Sequence, residues 1–140
     1  MSREILFRGK RTDNGEWVEG YFVKGEWYFD KKEIYALLPL DLCFFPRCEI
    51  SEWVEVDSKT VCQYAGIRTY KNGRKIFEGD IIKVNDFWTG VVVWEFNDTS
   101  FEVEPIDHME AMESLGVVVN GNKVEVIGNI FDNPELLEGE

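Results

Sequence analysis

The stretch Asn72-Gly73-Arg74-Lys75-Ile76-Phe77-Glu78-Gly79-Asp80-Ile81-Ile82-Lys83-Val84 decides the fold predicted for this sequence. The pair Asn72-Gly73 supplies the positive φ angles that a tight hairpin turn requires. Gly79 offers another position for a positive φ, at the point where the chain enters the next strand. Asp80 precedes that strand, where an aspartate serves first of all as a turn residue. We therefore interpret Gly79 and Asp80 as structural turn residues rather than as part of an active site.

Two more Asn-Gly pairs, Asn14-Gly15 and Asn120-Gly121, lie between apolar runs and predict two further hairpins. Strand candidates are rich in β-branched or aromatic residues and are bounded by Gly, Asp, Asn or Pro. They are Glu4–Lys10, Glu16–Val23, Glu26–Phe29, Ile34–Leu38, Trp53–Val56, Thr60–Tyr64, Ile67–Tyr70, Lys75–Phe77, Asp80–Asn85, Val91–Phe96, Ser100–Glu104, Val117–Val119 and Lys123–Ile127. This spacing predicts an all-β fold built from small barrel-like, SH3-like meanders.

One short interior helix interrupts the predicted strands. Asp107 can cap it, Glu110 stands three residues later, and Gly116 ends it, so the prediction is a helix over Asp107–Leu115. Near the C-terminus, Asn133 followed by Pro134 predicts a last short turn of helix, because proline is well suited to the first helical position.

A chain of 140 residues is long enough for one domain or two very small ones. We predict a single unit over residues 1–140. The least secure joint is Asp57–Thr60, where polar residues break an apolar alternation. If the unit has two sub-structures, they are a β-hairpin region at residues 1–57 and a barrel region at residues 60–140.

The formal net charge of −12 is unevenly distributed. Residues 1–75 contain 13 Lys/Arg and 12 Asp/Glu, whereas residues 76–140 contain 2 and 15. An acidic half repels phosphate backbones, so it disfavours nucleic-acid binding and favours docking to a basic protein surface. The alternative is that the acidic residues only keep a β protein soluble.

The cysteines and the apolar runs bear on the compartment and on metal binding. Cys43, Cys48 and Cys62 are odd in number and unevenly spaced, and no apolar run is long enough for a membrane span, so we expect a cytoplasmic protein. The three cysteines with His108 could in principle make a zinc site. Structural zinc sites usually have two tight ligand pairs, so we predict no metal, and for Cys43 we expect a buried reduced thiol.

Catalytic motifs are missing from the sequence. It contains no nucleophile elbow, phosphate-binding loop or dinucleotide fingerprint, and we predict neither an enzyme nor a cofactor. Glu102 and Glu104 would project from one face of a strand roughly 7 Å apart, as a hydrolase carboxylate pair could. In a chain with 27 acidic residues, a solvated face is the simpler interpretation.

Two groups of residues are candidates for an interaction surface. Arg8, Lys10 and Arg11 form the densest basic cluster, which could contact phosphates while a neighbouring ring stacks on a base. The aromatic candidates are Trp27, Phe87 and Trp88. Phe87-Trp88 lies in a turn between strands, where we expect the rings to plug the barrel end, with an anchor for a partner as the alternative.

The sequence resembles the YopX family, small proteins encoded by bacteriophages and prophages of low-GC Gram-positive bacteria. The resemblance covers nearly the whole chain and is carried by 7–10 (Phe-Arg-Gly-Lys), 17–21 (Trp-Val-Glu-Gly-Tyr), 60–66 (Thr-Val-Cys-Gln-Tyr-Ala-Gly), 72–73 with 76–82 (Ile-Phe-Glu-Gly-Asp-Ile-Ile) and 127–136 (Ile-Gly-Asn-Ile-Phe-Asp-Asn-Pro-Glu-Leu). It implies a mainly β fold and a phage or prophage origin, and it implies no activity, cofactor or catalytic residue.

We therefore expect a non-enzymatic phage or prophage accessory protein that binds a host or phage protein and that could also form a homo-oligomer. The alternative function is a nucleic-acid-binding module that uses the basic N-terminal hairpin. We expect no association with a membrane.

Overall fold

The computed structural model describes residues 4–26, 29, 31–39, 53–106 and 111–138. The strands in this part of the chain are β1 Phe7–Lys10, β2 Trp17–Glu26, β3 Glu33–Pro39, β4 Val54–Glu55, β5 Cys62–Arg68, β6 Lys75–Phe77, β7 Asp80–Val84, β8 Trp88–Glu95, β9 Ser100–Pro105, β10 Glu113–Ser114 and β11 Val124–Asn129. The α-helix α1 is Leu115–Val119, and short 3-10 helices cover Ser58–Thr60 and Pro134–Leu137. The prediction of a mainly β protein with one short helix is confirmed.

The chain forms two compact units, Met1–Gln63 and Tyr64–Glu140. In the first unit the strand order is β4-β3-β2-β1-β5, and all the pairings are antiparallel. The 3-10 helix Ser58–Thr60 is held to β1, because the Lys10 backbone N–H donates to Thr60 Oγ1 at 2.8 Å and the Asp57 N–H donates to the Lys10 carbonyl at 2.8 Å. The segment Asp57–Thr60, expected to be a weak joint, is therefore fixed within the first unit.

The second unit contains a five-stranded antiparallel sheet in the order β10-β9-β8-β7-β11, together with the hairpin β5–β6. Strand β7 lies between β8 and β11 and is buried on both faces, as the run Ile81-Ile82 indicates. Residues of β7, β8 and β9 pack with α1 around one core. Its buried members are Ile76, Ile82, Val84, Val92, Val103, Leu115, Val118, Val119 and Val124.

Two glycines of the second unit, Gly66 and Gly79, adopt positive φ angles that other residues disfavour. Gly79 has φ of 86°, the left-handed region, and its N–H donates to the Val92 carbonyl at 2.8 Å. The Asp80 carboxylate is buried and accepts a hydrogen bond from the Phe77 N–H at 2.8 Å. Gly66 has φ of 82° at a register shift of the β5–β6 pair. Thr60–Tyr64 and Ile67–Tyr70, predicted as two strands, thus contribute to one bulged strand, β5.

The structure corrects the prediction around the helix. Residues 107–110 lie outside the described residues, but Glu113–Ser114 pairs with β9, and the helix begins only at Leu115. The predicted helix Asp107–Leu115 is therefore wrong over its last turn, and Val117–Val119, predicted as a strand, is helical. The reason is that Leu115, Val118 and Val119 are buried with helical spacing, which a run of three valines conceals.

The barrel-like part of the prediction is also wrong, because the sheets do not close. Closure requires the two edge strands of a sheet to pair with each other. In the described part of the second unit, the edges are β10, with two residues, and β11, and each pairs with only one neighbour. The predicted C-terminal turn is present as the 3-10 helix Pro134–Leu137, although the Asn133 side chain makes no capping hydrogen bond to it.

Candidate functional site: an acidic hairpin tip

The hairpin formed by β8 and β9 carries aromatic side chains on one face and acidic side chains on the other, close to the turn that joins the strands. The register pairs Trp94 with Phe101 and Val93 with Glu102. Because side chains alternate along a strand, Trp94 and Phe101 lie on one face, while Glu102 lies on the other. We use the name acidic hairpin tip for Trp94, Glu95, Phe96, Asp98 and Glu102.

The aromatic part of the acidic hairpin tip is largely open to solvent. The Trp94 and Phe101 rings meet edge to face with centroids 5.0 Å apart, a favourable arrangement for two rings. Trp94 still leaves part of its surface exposed, and Phe96 is 82% exposed at the end of the strand. A large exposed ring beside a half-buried one is a suitable anchor for a partner.

Glu102 is the unusual group of the acidic hairpin tip. Its side chain is only 8% exposed, and its Oε2 accepts no hydrogen bond from the described part of the chain. Burial raises the pKa of Glu102, and the charge of Asp98, hydrogen bonding with Asp98 and the charge of Glu95 raise it further. The ionised form is thus disfavoured by desolvation and by like charge.

The turn that closes the hairpin holds these carboxylates near one another. The Asn97 N–H donates to Glu95 Oε1 at 3.0 Å, and Thr99, with φ of 50°, donates from Oγ1 to the Asp98 carbonyl at 2.7 Å. In the described residues, no ion pair neutralises Glu95, Asp98 or Glu102. The arrangement can therefore receive a cationic group.

The hydrolase hypothesis pairs Glu102 with Glu104, but in the structure the two side chains differ in burial. They share a face of β9, but Glu104 is exposed, whereas Glu102 is buried. Besides burial, Asp98 and Glu95 raise the pKa of Glu102, and Glu104 does not. The two glutamates therefore differ in burial and are not an equivalent pair of carboxylates.

The basic candidates of the first unit are already engaged. Arg8 is 8% exposed, and its guanidinium lies 4.7 Å from the centroid of the Trp17 ring. Lys10 approaches the same ring at 5.4 Å. Arg11 donates from Nε and Nη2 to Asp13 at 2.9 and 2.8 Å, and this bond lowers the pKa of Asp13. These cations are partly satisfied by their own neighbours.

The aromatic candidates are divided. Trp27 lies outside the described residues. Trp88 packs against the core of the second unit, whereas Phe87 is 83% exposed in the turn before β8. The expected plug is thus wrong for Phe87, since the positive φ angles of Asn85 and Asp86 turn the chain tightly and leave the ring outside.

The zinc hypothesis rests on Cys43, Cys48, Cys62 and His108. Cys43, Cys48 and His108 lie outside the described residues, and Cys62 is buried. Within the described ranges, no three His, Cys, Asp or Glu side chains are placed to hold a metal ion.

Sequence reasoning missed the acidic hairpin tip as a site. The sequence predicts Phe96 at the end of strand Val91–Phe96 and favours a solvated face for Glu102 and Glu104, which is wrong for Glu102 because its side chain is buried. The available signal was the alternation of Trp94-Glu95-Phe96 immediately before the turn residues Asn97-Asp98, which places large rings at a hairpin end.

Among the residues that the structure describes, no helix combines the length and the apolar character needed to cross a membrane.

Comparison with known proteins gives a family. No curated protein matches the chain significantly. The profile described as YopX protein matches residues 6–138, nearly the whole length. The chain therefore belongs to the YopX family.

Proposed function

We propose that this YopX-family protein acts by binding another protein rather than by catalysis, and that the acidic hairpin tip receives a basic segment of that partner. The observation that carries the proposal is the buried Glu102 carboxylate, with an oxygen that lacks a hydrogen-bond donor in the described residues. A lysine or arginine side chain at this position would supply the donor and offset the repulsion among Glu102, Asp98 and Glu95.

The surroundings of Glu102 support the same class of partner. Phe96 follows Glu95 in the chain and offers an exposed apolar anchor at the same end of the hairpin. The acidic character of residues 76–140 would speed the approach of a basic protein. We take the partner to be a host or phage protein met in the bacterial cytoplasm, in keeping with a phage or prophage accessory role.

A matched pair of variants tests the proposal. Immobilised full-length protein is incubated with host lysate at low and moderate salt, and captured proteins are identified by mass spectrometry. Glu95→Gln/Asp98→Asn removes two charges at the acidic hairpin tip, and Glu135→Gln/Glu138→Gln removes two exposed charges elsewhere in the same unit. We expect the first variant to lose a partner that the second retains, and added salt to weaken that capture.

Binding to synthetic peptides of defined charge tests whether the acidic hairpin tip prefers a basic segment. Synthetic peptides of equal length, which alternate an apolar residue with Arg, Gln or Glu, are titrated against the protein. The Arg peptide should bind, and Phe96→Ala should weaken it without altering the thermal unfolding temperature. Equal binding of all three peptides, or a measurable turnover of a metabolite with no captured protein, would contradict the proposal.

Two alternatives gain less support. Nucleic-acid binding by Arg8, Lys10 and Arg11 would have to draw on a buried guanidinium and on an arginine already bonded to Asp13. A homo-oligomer would appear as a concentration-dependent mass in analytical ultracentrifugation. A change of that mass on Phe96→Ala would identify a second copy as the occupant of the acidic hairpin tip.

A further inference from the structure

A second surface of the same unit differs in charge from the acidic hairpin tip. Three turns meet at one end of the sheet: residues 69–74 between β5 and β6, residues 85–87 before β8, and residues 120–123 between α1 and β11. Between the first and the last of these turns lies a cleft of about 940 Å³, within the range of about 300–1,000 Å³ typical of small-ligand sites. Six of its lining residues matter here: Tyr70, Lys71, Arg74, Asn120, Asn122 and Lys123.

Hydrogen bonds fix the wall formed by residues 120–123. The Asn85 N–H donates to the Lys123 carbonyl at 2.7 Å, and the Lys123 N–H donates to Asn85 Oδ1 at 2.8 Å. Asn122 accepts from Asn85 Nδ2 at 2.8 Å and donates to the Val118 carbonyl at 2.8 Å. The cleft wall therefore exists before any ligand arrives.

Cations converge on this end of an otherwise acidic segment. Residues 76–140 contain only two lysines and no arginine, and both lysines, Lys83 and Lys123, lie close enough to Asp86 to lower its pKa, as does Lys71. Lys123 is shared between Asp86 at 3.0 Å and Glu125 at 3.4 Å. Lys71 and Arg74 are exposed and have no ion pair within the described ranges. They are the cations left for a ligand.

The remaining polar and aromatic groups are also accessible. Tyr70 is 95% exposed, so both faces of its ring are open to stacking. The Asn120 side chain is exposed and makes no hydrogen bond in the part of the chain that the structure describes. An amide can both donate and accept, which suits the edge of a base.

We propose that this cleft binds a nucleotide, with its phosphate at Lys71 and Arg74, its base stacked on Tyr70 and the base edge within reach of Asn120. A simple anion would need only the cations, but the cleft adds an open ring and a free amide, which together match a phosphate linked to a flat base. The site is distinct from the acidic hairpin tip and from the basic hairpin of the first unit. It is open both to a free nucleotide and to a nucleotide within a single strand.

The test titrates the full-length protein with fluorescent ATP, a labelled twelve-residue oligothymidylate and its RNA equivalent at low salt. Tyr70→Ala and Lys71→Glu/Arg74→Glu should each weaken binding at least about tenfold, the effect typical of losing a stacked base or of reversing phosphate contacts. Both variants change exposed side chains, and unchanged thermal unfolding will show that they fold.

Lys24→Glu/Lys59→Glu is the matched control, since it makes the same change of net charge on exposed residues of the first unit. It should bind like the wild type. Binding of ATP alone identifies a free nucleotide as the ligand, and binding of only an oligonucleotide identifies a single strand. The proposal fails if none of the probes binds at millimolar concentration, if the control loses as much affinity as Lys71→Glu/Arg74→Glu, or if inorganic phosphate or a poly-glutamate peptide competes as well as ATP.

Discussion

The two ends of strand β8 differ in whether the carboxylates near them are paired with a cation. At the Trp88 end, Asp86 and Lys123 form an ion pair at 3.0 Å, and reciprocal hydrogen bonds join Asn85 to the Lys123 backbone. At the Glu95 end, about 23 Å away at about 3.3 Å per residue, Glu102 is buried among carboxylates. At the first end Asp86 is paired with Lys123, whereas at the second the Glu102 carboxylate is buried near two other carboxylates.

This contrast separates structural charges from charges available for recognition. A cation and a carboxylate that already hold each other contribute to local geometry and offer little to a partner. A buried carboxylate without a donor lowers stability in the free protein and raises the gain from a cationic partner. Both proposals follow this logic: Glu102 is the group that favours a basic protein, and Lys71 and Arg74 are the cations that favour a phosphate.

The largest expected effect on stability comes from a cavity at the middle of β8, the strand whose two ends are compared above. Val92 lies at the middle of β8 and is fully buried in the core. Val92→Ala should lower the free energy of unfolding by about 2–3 kcal/mol, because it removes buried methyl groups and leaves a cavity. Urea unfolding measures the change. A cost below about 0.5 kcal/mol would mean that this core is looser than the structure shows.

The next effect concerns the turn that is bonded to β8. Gly79 has a positive φ, and its N–H donates to the Val92 carbonyl, so Gly79→Ala should cost about 1 kcal/mol or more. Asp80→Asn should be milder, since an amide oxygen can still accept from the Phe77 N–H. Thermal and urea unfolding of both variants give the comparison. A loss of binding in Asp80→Asn with unchanged stability would show that Asp80 belongs to a site.

The buried Glu102 carboxylate at the Glu95 end predicts that the stability of the protein depends on pH. The pKa of Glu102 is raised in the folded state, so the folded protein binds more protons than the unfolded chain between the ordinary and the raised pKa, and Glu102 lowers stability as pH rises through that window. Glu102→Gln should therefore raise the unfolding temperature at neutral pH, and the gain should vanish in acid.

Glu104→Gln is the control for this prediction, because it makes the same chemical change at an exposed position of the same strand. It should leave the pH profile of the unfolding temperature unaltered. If the two variants behave alike, the carboxylate of Glu102 is not the source of the pH dependence. Glu102→Gln should also weaken the basic peptide of the binding test while it stabilises the free protein.

The smallest effect on stability is expected at the Trp88 end of β8, where Asp86 is paired with Lys123. The hydrogen bond from Lys123 lowers the pKa of Asp86, so this exposed pair supports folding above the ordinary aspartate pKa and loses that support as pH falls through the lowered one. Lys123→Met should bring the Asp86 pKa back toward its ordinary value, as measured by NMR titration, with only a slight loss of stability. An unchanged Asp86 titration would contradict the assigned pair.

The sequence alone determined the local turns and most of the strands. Gly15 and Gly73 have the positive φ expected of their hairpin turns, whereas the asparagines before them do not, and Asn120-Gly121 follows a helix instead of joining two strands. Lys75–Phe77 was predicted with the bounds that the structure has. Such features depend on neighbours within a few residues, which a sequence displays directly.

Only the tertiary structure decided which side chains are buried and which distant turns meet. Glu102 and Glu104 have the same local pattern, yet one is buried and the other exposed. The cleft joins Tyr70 and Lys71 to Asn120 and Lys123, about fifty residues later in the chain, and the helical packing of Val118 and Val119 depends on strands far from them. The physical reason is that burial and register are set by long-range packing, whereas periodicity and turn propensity report only on the chain nearby.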